Sequence, residues 1–258
     1  MDLGIENKIA MVTGGSRGLG LQSAISLARE GCKVAICGRG IEDLESSVNE
    51  MTDMGYQVLG TQADVGTAEG CTKFFNQTVE YFGSVDILVN NVGGTIGGRD
   101  FDSATDEDWL DTINLNLLSS VRLTRLVVPY MKNNMWGRIV NIASIWGREY
   151  GGATSYMTSK AAVIAFSKHM AIALAPYNVL VNSIAPGSIQ FPGGSWDRFV
   201  NNNSPDAVKA FISNNLPMGK FGWPEPLGNV VAFLCSDIAG LVTGTSINVD
   251  GGQSKSLI

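Results

Sequence analysis

The sequence predicts an α/β chain built on a doubly wound parallel sheet of about seven strands with helices on both faces. Three observations carry that prediction. The apolar runs are short and continuous rather than alternating, as strands buried on both faces require. They alternate with helical segments from the start of the chain, the pattern of right-handed βαβ crossovers. A glycine-rich turn, Thr13 to Gly20 (TGGSRGLG), joins the first strand to the first helix.

In order, KIAMVT (Lys8–Thr13) reads as the first strand and Gly18–Glu30 as the helix after it. KVAIC (Lys33–Cys37) is a second buried strand, followed by a helix near Ile41–Met54. QVLGTQ (Gln57–Gln62) precedes a helix near Thr67–Phe82, and DILVNN (Asp86–Asn91) is the fourth strand. A long amphipathic helix is expected from Thr105 to about Asn133, with acids in its first turn where they suit the helix dipole. GRIVNI (Gly137–Ile142), VLVNSI (Val179–Ile184) and TSINVD (Thr245–Asp250) complete the sheet, with a helix carrying Tyr156 and Lys160 between the first two. No repeat or low-complexity linker divides the chain, so residues 1–258 read as a single domain.

Bulk composition narrows the function. Hydrophobic residues make up 45% and charged residues 16%, enough apolar surface for a substantial core. The formal charge of −6 disfavours nucleic acid and anionic membranes as partners. The N-terminal MDLGIENKIA has acids where a signal peptide needs bases, and no apolar run reaches spanning length, so a cytoplasmic protein is expected. Cys32, Cys37, Cys71 and Cys235 show no metal-binding spacing and read as buried reduced thiols. His169 is the only histidine, so no metal site is expected. It lies nine residues past Lys160, roughly 180° around a helix, which argues against a serine hydrolase relay.

The turn after the first strand suits a pyrophosphate. A helix N-terminus presents free N–H groups and positive dipole, and glycines let the phosphates approach. No Gly-Lys-Ser/Thr follows, which excludes a Walker A loop. At the end of the second strand an NAD site wants a carboxylate, but the chain offers Gly38 and Arg39. Arg39 and Arg17 together suit the extra phosphate of NADP.

Tyr156 and Lys160 stand four residues apart, so on a helix their Cβ atoms lie roughly 5–6 Å apart on one face. An ammonium there is expected to lower the phenol's pKa, with Ser144 at the end of the fifth strand holding the oxygen that Tyr156 protonates or deprotonates. The plainer alternative is an aromatic ring covered by a lysine stem.

Taken jointly, these residues resemble the short-chain dehydrogenase/reductase family, and the likeness runs nearly end to end. The family's TGxxxGxG turn matches Thr13, Gly14, Gly18 and Gly20, with Ser16, Arg17 and Leu19 between them. Asp64 and Val65 match its adenine-contacting segment, and Asn90-Asn91-Val92-Gly93 its NNAG segment with valine for alanine. Its catalytic asparagine falls on Asn116, its serine on Ser144 and its YxxxK pair on Tyr156 and Lys160. Pro186, Gly187 and Ile189 match the PGxI segment beside the nicotinamide, and Asp250-Gly251-Gly252 the terminal motif. The resemblance implies a Rossmann fold, NADP(H), a small carbonyl or alcohol substrate and a homotetramer. In it Tyr156 is the general acid or base, and Lys160 tunes the phenol and holds the ribose. Ser144 holds the substrate oxygen, and Asn116 supports a water relay.

The likeness has departures. Phe191 stands where the family has threonine, and the long connection 188–223 reads either as an aromatic-rich lid or as an ordinary surface loop. Members that are 3-oxoacyl carrier-protein reductases share the motifs, but Met135 and Tyr177 occupy the places of their basic docking residues. An enoyl reductase would separate tyrosine and lysine by seven positions, and an epimerase would use a different glycine turn. A nonenzymatic NADP-sensing or scaffold protein is the alternative of another class. Arg148 could meet an anionic substrate group; a surface salt bridge is the plainer expectation.

Overall fold

The structure, a computed structural model describing residues 2–257, turns the apolar runs into seven strands. These are β1 (Ile9–Thr13), β2 (Lys33–Gly38), β3 (Val58–Gln62), β4 (Ile87–Asn90), β5 (Gly137–Ile142), β6 (Val179–Pro186) and β7 (Ser246–Val249). All pair parallel in one sheet of order β3-β2-β1-β4-β5-β6-β7. The order reverses between β1 and β4, and that switch point opens a crevice at the carboxyl ends of the strands.

Because side chains alternate across a strand, each central strand feeds two cores. Ala10 and Val12 of β1 join one cluster, under α1 (Gly18–Arg29), α2 (Ile41–Asp53) and α9 (Pro224–Cys235), through Leu27, Leu44 and Val231. Met11 joins the other, under α3 (Ala68–Phe82), α5 (Ser119–Asn133) and α6 (Thr154–Leu174), through Phe74, Leu123 and Leu174. A strand buried on both faces has no polar face to show, which is why the runs lack alternation.

The expected helix from Thr105 to Asn133 is interrupted. It begins as α4 (Asp106–Ile113), where Thr105 and Asp108 form a capping box, then widens to a π turn at Asn114–Leu118 before α5. The connection 188–223 contains two helices that sequence reading did not mark, α7 (Ser195–Asn202) and α8 (Pro205–Asn215). A single bridge between Ile189 and Gly222 closes its base. Helix α9, also unmarked, packs on α1 so closely that Gly228 lies against the Gln22 carbonyl.

Candidate active site

The crevice is a cavity of about 940 Å³, at the upper end of the range for small-molecule sites. Nearly every expected site residue lines it. Gly14, Ser16, Arg17, Leu19, Arg39, Asp64 and Val65 do so, as do Asn91, Gly93, Ser144, Tyr156, Lys160, Pro186, Gly187 and Ile189. Gly18, Gly20 and Asn116 are not on its wall.

At the dinucleotide end the backbone requires glycine. Gly14 and Gly18 have φ of +63° and +57°, and a Cβ on Gly20 would lie 2.1 Å from the Gly14 carbonyl oxygen. Arg17 is the N-cap of α1 but its side chain does not cap the helix, which leaves the first N–H groups free for an anion. Thr13 clips the turn to β4: its hydroxyl accepts from the Asn91 and Val92 N–H groups, while Asn91 Nδ2 donates to the Thr13 carbonyl. A Cβ on Gly38 would sit 3.0 Å from Ser16 Oγ, so the end of β2 has little room for a side chain. The side chains of Arg17 and Arg39 have no hydrogen bond or ion pair among the described residues. These features fit a dinucleotide with phosphate near both guanidiniums.

Sequence reading missed Asp43, in the first turn of α2, which also lines this end. It noted Phe191 as a departure and as one of the aromatic residues of 188–223, and the ring packs over Gly18, where a Cβ would lie 2.5 Å from it.

At the other end, β5 leads into Ser144, which starts a short 3-10 turn (Ile145–Gly147) and accepts a hydrogen bond from the Trp146 N–H. The turn presses on α6: a Cβ on Gly147 would be 2.8 Å from the Lys160 carbonyl. That contact brings Ser144 to the face of α6 bearing Tyr156 and Lys160. A buried polar chain holds α6 in place, from Asn90 Nδ2 to Asn141 Oδ1 and from Asn141 Nδ2 to Ser167 Oγ, each 2.8 Å. Lys160 is buried, and its Nζ donates to the Ile142 carbonyl at 2.7 Å.

The π turn explains Asn116. Its Nδ2 takes the Thr112 carbonyl that a backbone N–H would occupy in a regular helix, and it also donates to the Gly94 carbonyl at 2.7 Å. Its Oδ1 accepts from the Gly94 N–H. A Cβ on Gly93 would lie 2.6 Å from Asn116 Oδ1 and 2.7 Å from Lys160 Nζ, so both groups converge on that glycine.

Two expectations require correction. Tyr156 is half-buried against the cavity, and burial pushes its phenol up, while a side-chain hydrogen bond with Ser144 pulls it down. In this geometry burial wins, and the net direction of the phenol is upward rather than downward. Lys160 Nζ lies 5.6 Å from the ring centroid, engages Ile142 instead, and is itself brought to about 8 by burial. Arg148 forms neither a surface salt bridge nor a site contact; it donates to the Ser246 carbonyl at the start of β7.

His169 is exposed, and no group of metal-ligating side chains occurs among the described residues. The four cysteines are buried and free, as expected, and burial pushes Cys32 and Cys37 to about 12. Thiols that hard to ionise are poor nucleophiles. No described helix is long and apolar enough to cross a membrane.

Comparison with known proteins identifies the family and supports the fold. The short chain dehydrogenase family model matches residues 8–195. The chain is 36% identical over 252 residues to (2S)-((R)-hydroxy(phenyl)methyl)succinyl-CoA dehydrogenase subunit BbsD of Thauera aromatica, covering 98% of each. It is 35% identical to the 3-oxoacyl-(acyl-carrier-protein) reductase FabG of Aquifex aeolicus, covering 98% of this chain and 100% of that protein. Among solved structures, L-sorbose reductase from Gluconobacter frateurii, complexed with NADPH and L-sorbose, superposes with a TM-score of 0.92 at 34% identity over the whole of both chains. A 7α-hydroxysteroid dehydrogenase complexed with NADH and 7-oxo glycochenodeoxycholic acid gives 0.89 at 31% identity, covering 100% of this chain and 98% of that one.

Proposed function

The chain belongs to the short-chain dehydrogenase family, an oxidoreductase acting on an alcohol/ketone pair with a nicotinamide cofactor, and from that premise we propose an NADP(H)-dependent ketone reductase with Ser144, Tyr156, Lys160 and Asn116 as its proton-transfer site. The observation that carries it is the convergence of Ser144, Tyr156 and Lys160 on one wall of the cavity that begins at the glycine turn. When bound, the cofactor supplies or accepts the hydride.

The chain's own residues manage the proton. Ser144 donates a hydrogen bond to the substrate oxygen, and Tyr156 gives its proton to that oxygen in reduction or removes it in oxidation. A phenol held above its ordinary value stays protonated at neutral pH, which suits the acid role. Lys160 and Asn116, facing each other across Gly93, refill that proton from solvent. Arg17 and Arg39 hold the extra phosphate of NADP, a preference supported by their unpaired guanidiniums and by the crowded end of β2. Residues 188–223 form the lid, with Phe191, Trp196, Phe199 and Phe211 lining the cavity. A cytoplasmic homotetramer completes the proposal, and sedimentation analysis tests its assembly.

Loss of NADPH absorbance with a panel of ketones tests the mechanism. Tyr156→Phe should lower turnover by about 10²–10⁴-fold. Equal turnover in both proteins ends the mechanism, and tight NADPH binding with no turnover of any ketone favours a sensor. Arg39→Ala should raise KM for NADPH far more than for NADH.

A carrier-bound 3-oxoacyl substrate is the second proposal, favoured by the identity to the Aquifex aeolicus reductase. The structure sets Lys132 Nζ 4.4 Å above the Tyr177 ring, so one cation stands near the place where the docking base is missing. Comparing acetoacetyl thioesters of coenzyme A and of carrier protein decides between the two.

A further inference from the structure

The β2–β3 end of the cavity, where the dinucleotide's adenosine would lie, carries charges of both signs. Beside the guanidiniums of Arg17 and Arg39 stand two carboxylates, Asp43 and Asp64, the only acids among the described lining residues. Asp64 is held by the fold: its Oδ1 accepts from the Gly66 N–H at 2.9 Å, in the turn ahead of α3. Asp43 is exposed, and its side chain has no hydrogen bond or ion pair among the described residues.

Helix α2 does not account for Asp43. It is the third residue of that helix, where a carboxylate can return a hydrogen bond to the N-cap, but no such bond reaches Gly40. Glu42 in the same turn already supplies charge that suits the helix dipole. Instead, Asp43 Oδ2 lies 3.9 Å from where Gly40 would carry a Cβ, and nothing else comes within 4 Å of that point. The carboxylate thus leans back toward the segment Arg39–Gly40, over the end of β2. An acid on β2 itself is disfavoured at Gly38, where a Cβ would sit 3.0 Å from Ser16 Oγ. Asp43 brings a negative charge to the same place from the helix that follows.

We propose that Asp43 is a specificity residue of the cofactor site: its carboxylate opposes the ribose phosphate that Arg17 and Arg39 attract, and so weakens the preference for NADPH over NADH. The proposal rests on the NADP(H) reading above. Choice between two ligands is a difference of affinities, and a fixed charge acts most on the ligand that brings the extra phosphate. That phosphate carries about −2. At a separation of about 8 Å in a water-like dielectric, the repulsion is worth about fivefold in affinity. Salt weakens it, because the Debye length falls from about 30 Å at 0.01 M to about 3 Å at 1 M.

Adenosine 2′,5′-bisphosphate and adenosine 5′-monophosphate isolate the phosphate from the chemistry at the other end. By titration calorimetry at about 0.01 M salt, Asp43→Asn should raise the ratio of their affinities about fivefold, and Asp43→Lys should raise it further. At about 1 M salt the Asp43→Asn effect should shrink to less than about twofold. The ratio of NADPH to NADH affinity, read from nicotinamide fluorescence, should move the same way. A residue that only steadies α2 would lower the melting temperature of Asp43→Asn and leave both ratios unchanged, and that result overturns the proposal. A ratio that falls, or an effect that salt does not diminish, overturns it as well. The NADP(H) reading fails differently: bisphosphate bound no tighter than monophosphate by wild type and Asp43→Asn alike, with Arg39→Ala altering neither, removes the phosphate site and this proposal with it.

Discussion

Replacing Lys160 by methionine isolates what it costs to hold an ammonium in this cleft. The side chain is 2% exposed, and burial lowers its pKa from the ordinary 10.5 to about 8. At about 1.4 kcal/mol per pH unit, the folded protein binds this proton on the order of 3 kcal/mol less tightly than the unfolded chain. Below pH 8 both states hold the proton and the full cost is present. Between pH 8 and 10.5 the unfolded chain carries more protons than the folded one, so stability rises with pH. Methionine removes the titration at similar volume, and losing the bond to Ile142 adds an offset that does not depend on pH. Urea denaturation without cofactor, from pH 7 to 10.5, should therefore show wild type gaining on the order of 3 kcal/mol relative to Lys160→Met. A difference that stays constant over that window, or moves the other way, refutes desolvation of this ammonium.

Three other outcomes follow from the geometry. Gly93→Ala drives a methyl into Asn116 Oδ1 and Lys160 Nζ, and a displacement of that kind should lower kcat about 10²-fold in a protein that still folds, as circular dichroism would verify. Because burial holds the Tyr156 phenol above its ordinary 10, alcohol oxidation should climb steadily from pH 7 to 10 while ketone reduction does not, a contrast read from paired pH–rate profiles. Asp237→Asn removes the carboxylate paired with buried Arg138 at 3.2 Å; since Asp237 is 54% exposed and Arg138 also donates to the Gly137, Asn178 and Ser236 carbonyls, the loss should be only about 1–2 kcal/mol by denaturant titration.

Much of the site was legible because it obeys local rules. Helix periodicity alone puts Tyr156 and Lys160 on one face, and the left-handed backbone of Gly14 and Gly18 favours glycine. The π turn was not legible, because Asn116 leaves the regular ladder to reach Gly94 on another segment. Arg148 looked like a surface cation, since its partner, Ser246, is 98 residues away. Asp43 and Trp146 gave no local signal either; each belongs to the site only because the strand order brings separate loops to one crevice.

Strand number, the parallel layering and the glycine turn were settled by hydrophobic patterning and backbone sterics, which act between near neighbours and survive in a linear string. The ionisation of Tyr156 and Lys160 was not. How far water is stripped from a phenol or an ammonium depends on what folds over it, and here packing from β5, α6 and the turn at Ser144 reversed the expected direction of the phenol's shift. Charge in a cleft is set by everything that excludes solvent from it, and only the assembled chain specifies that.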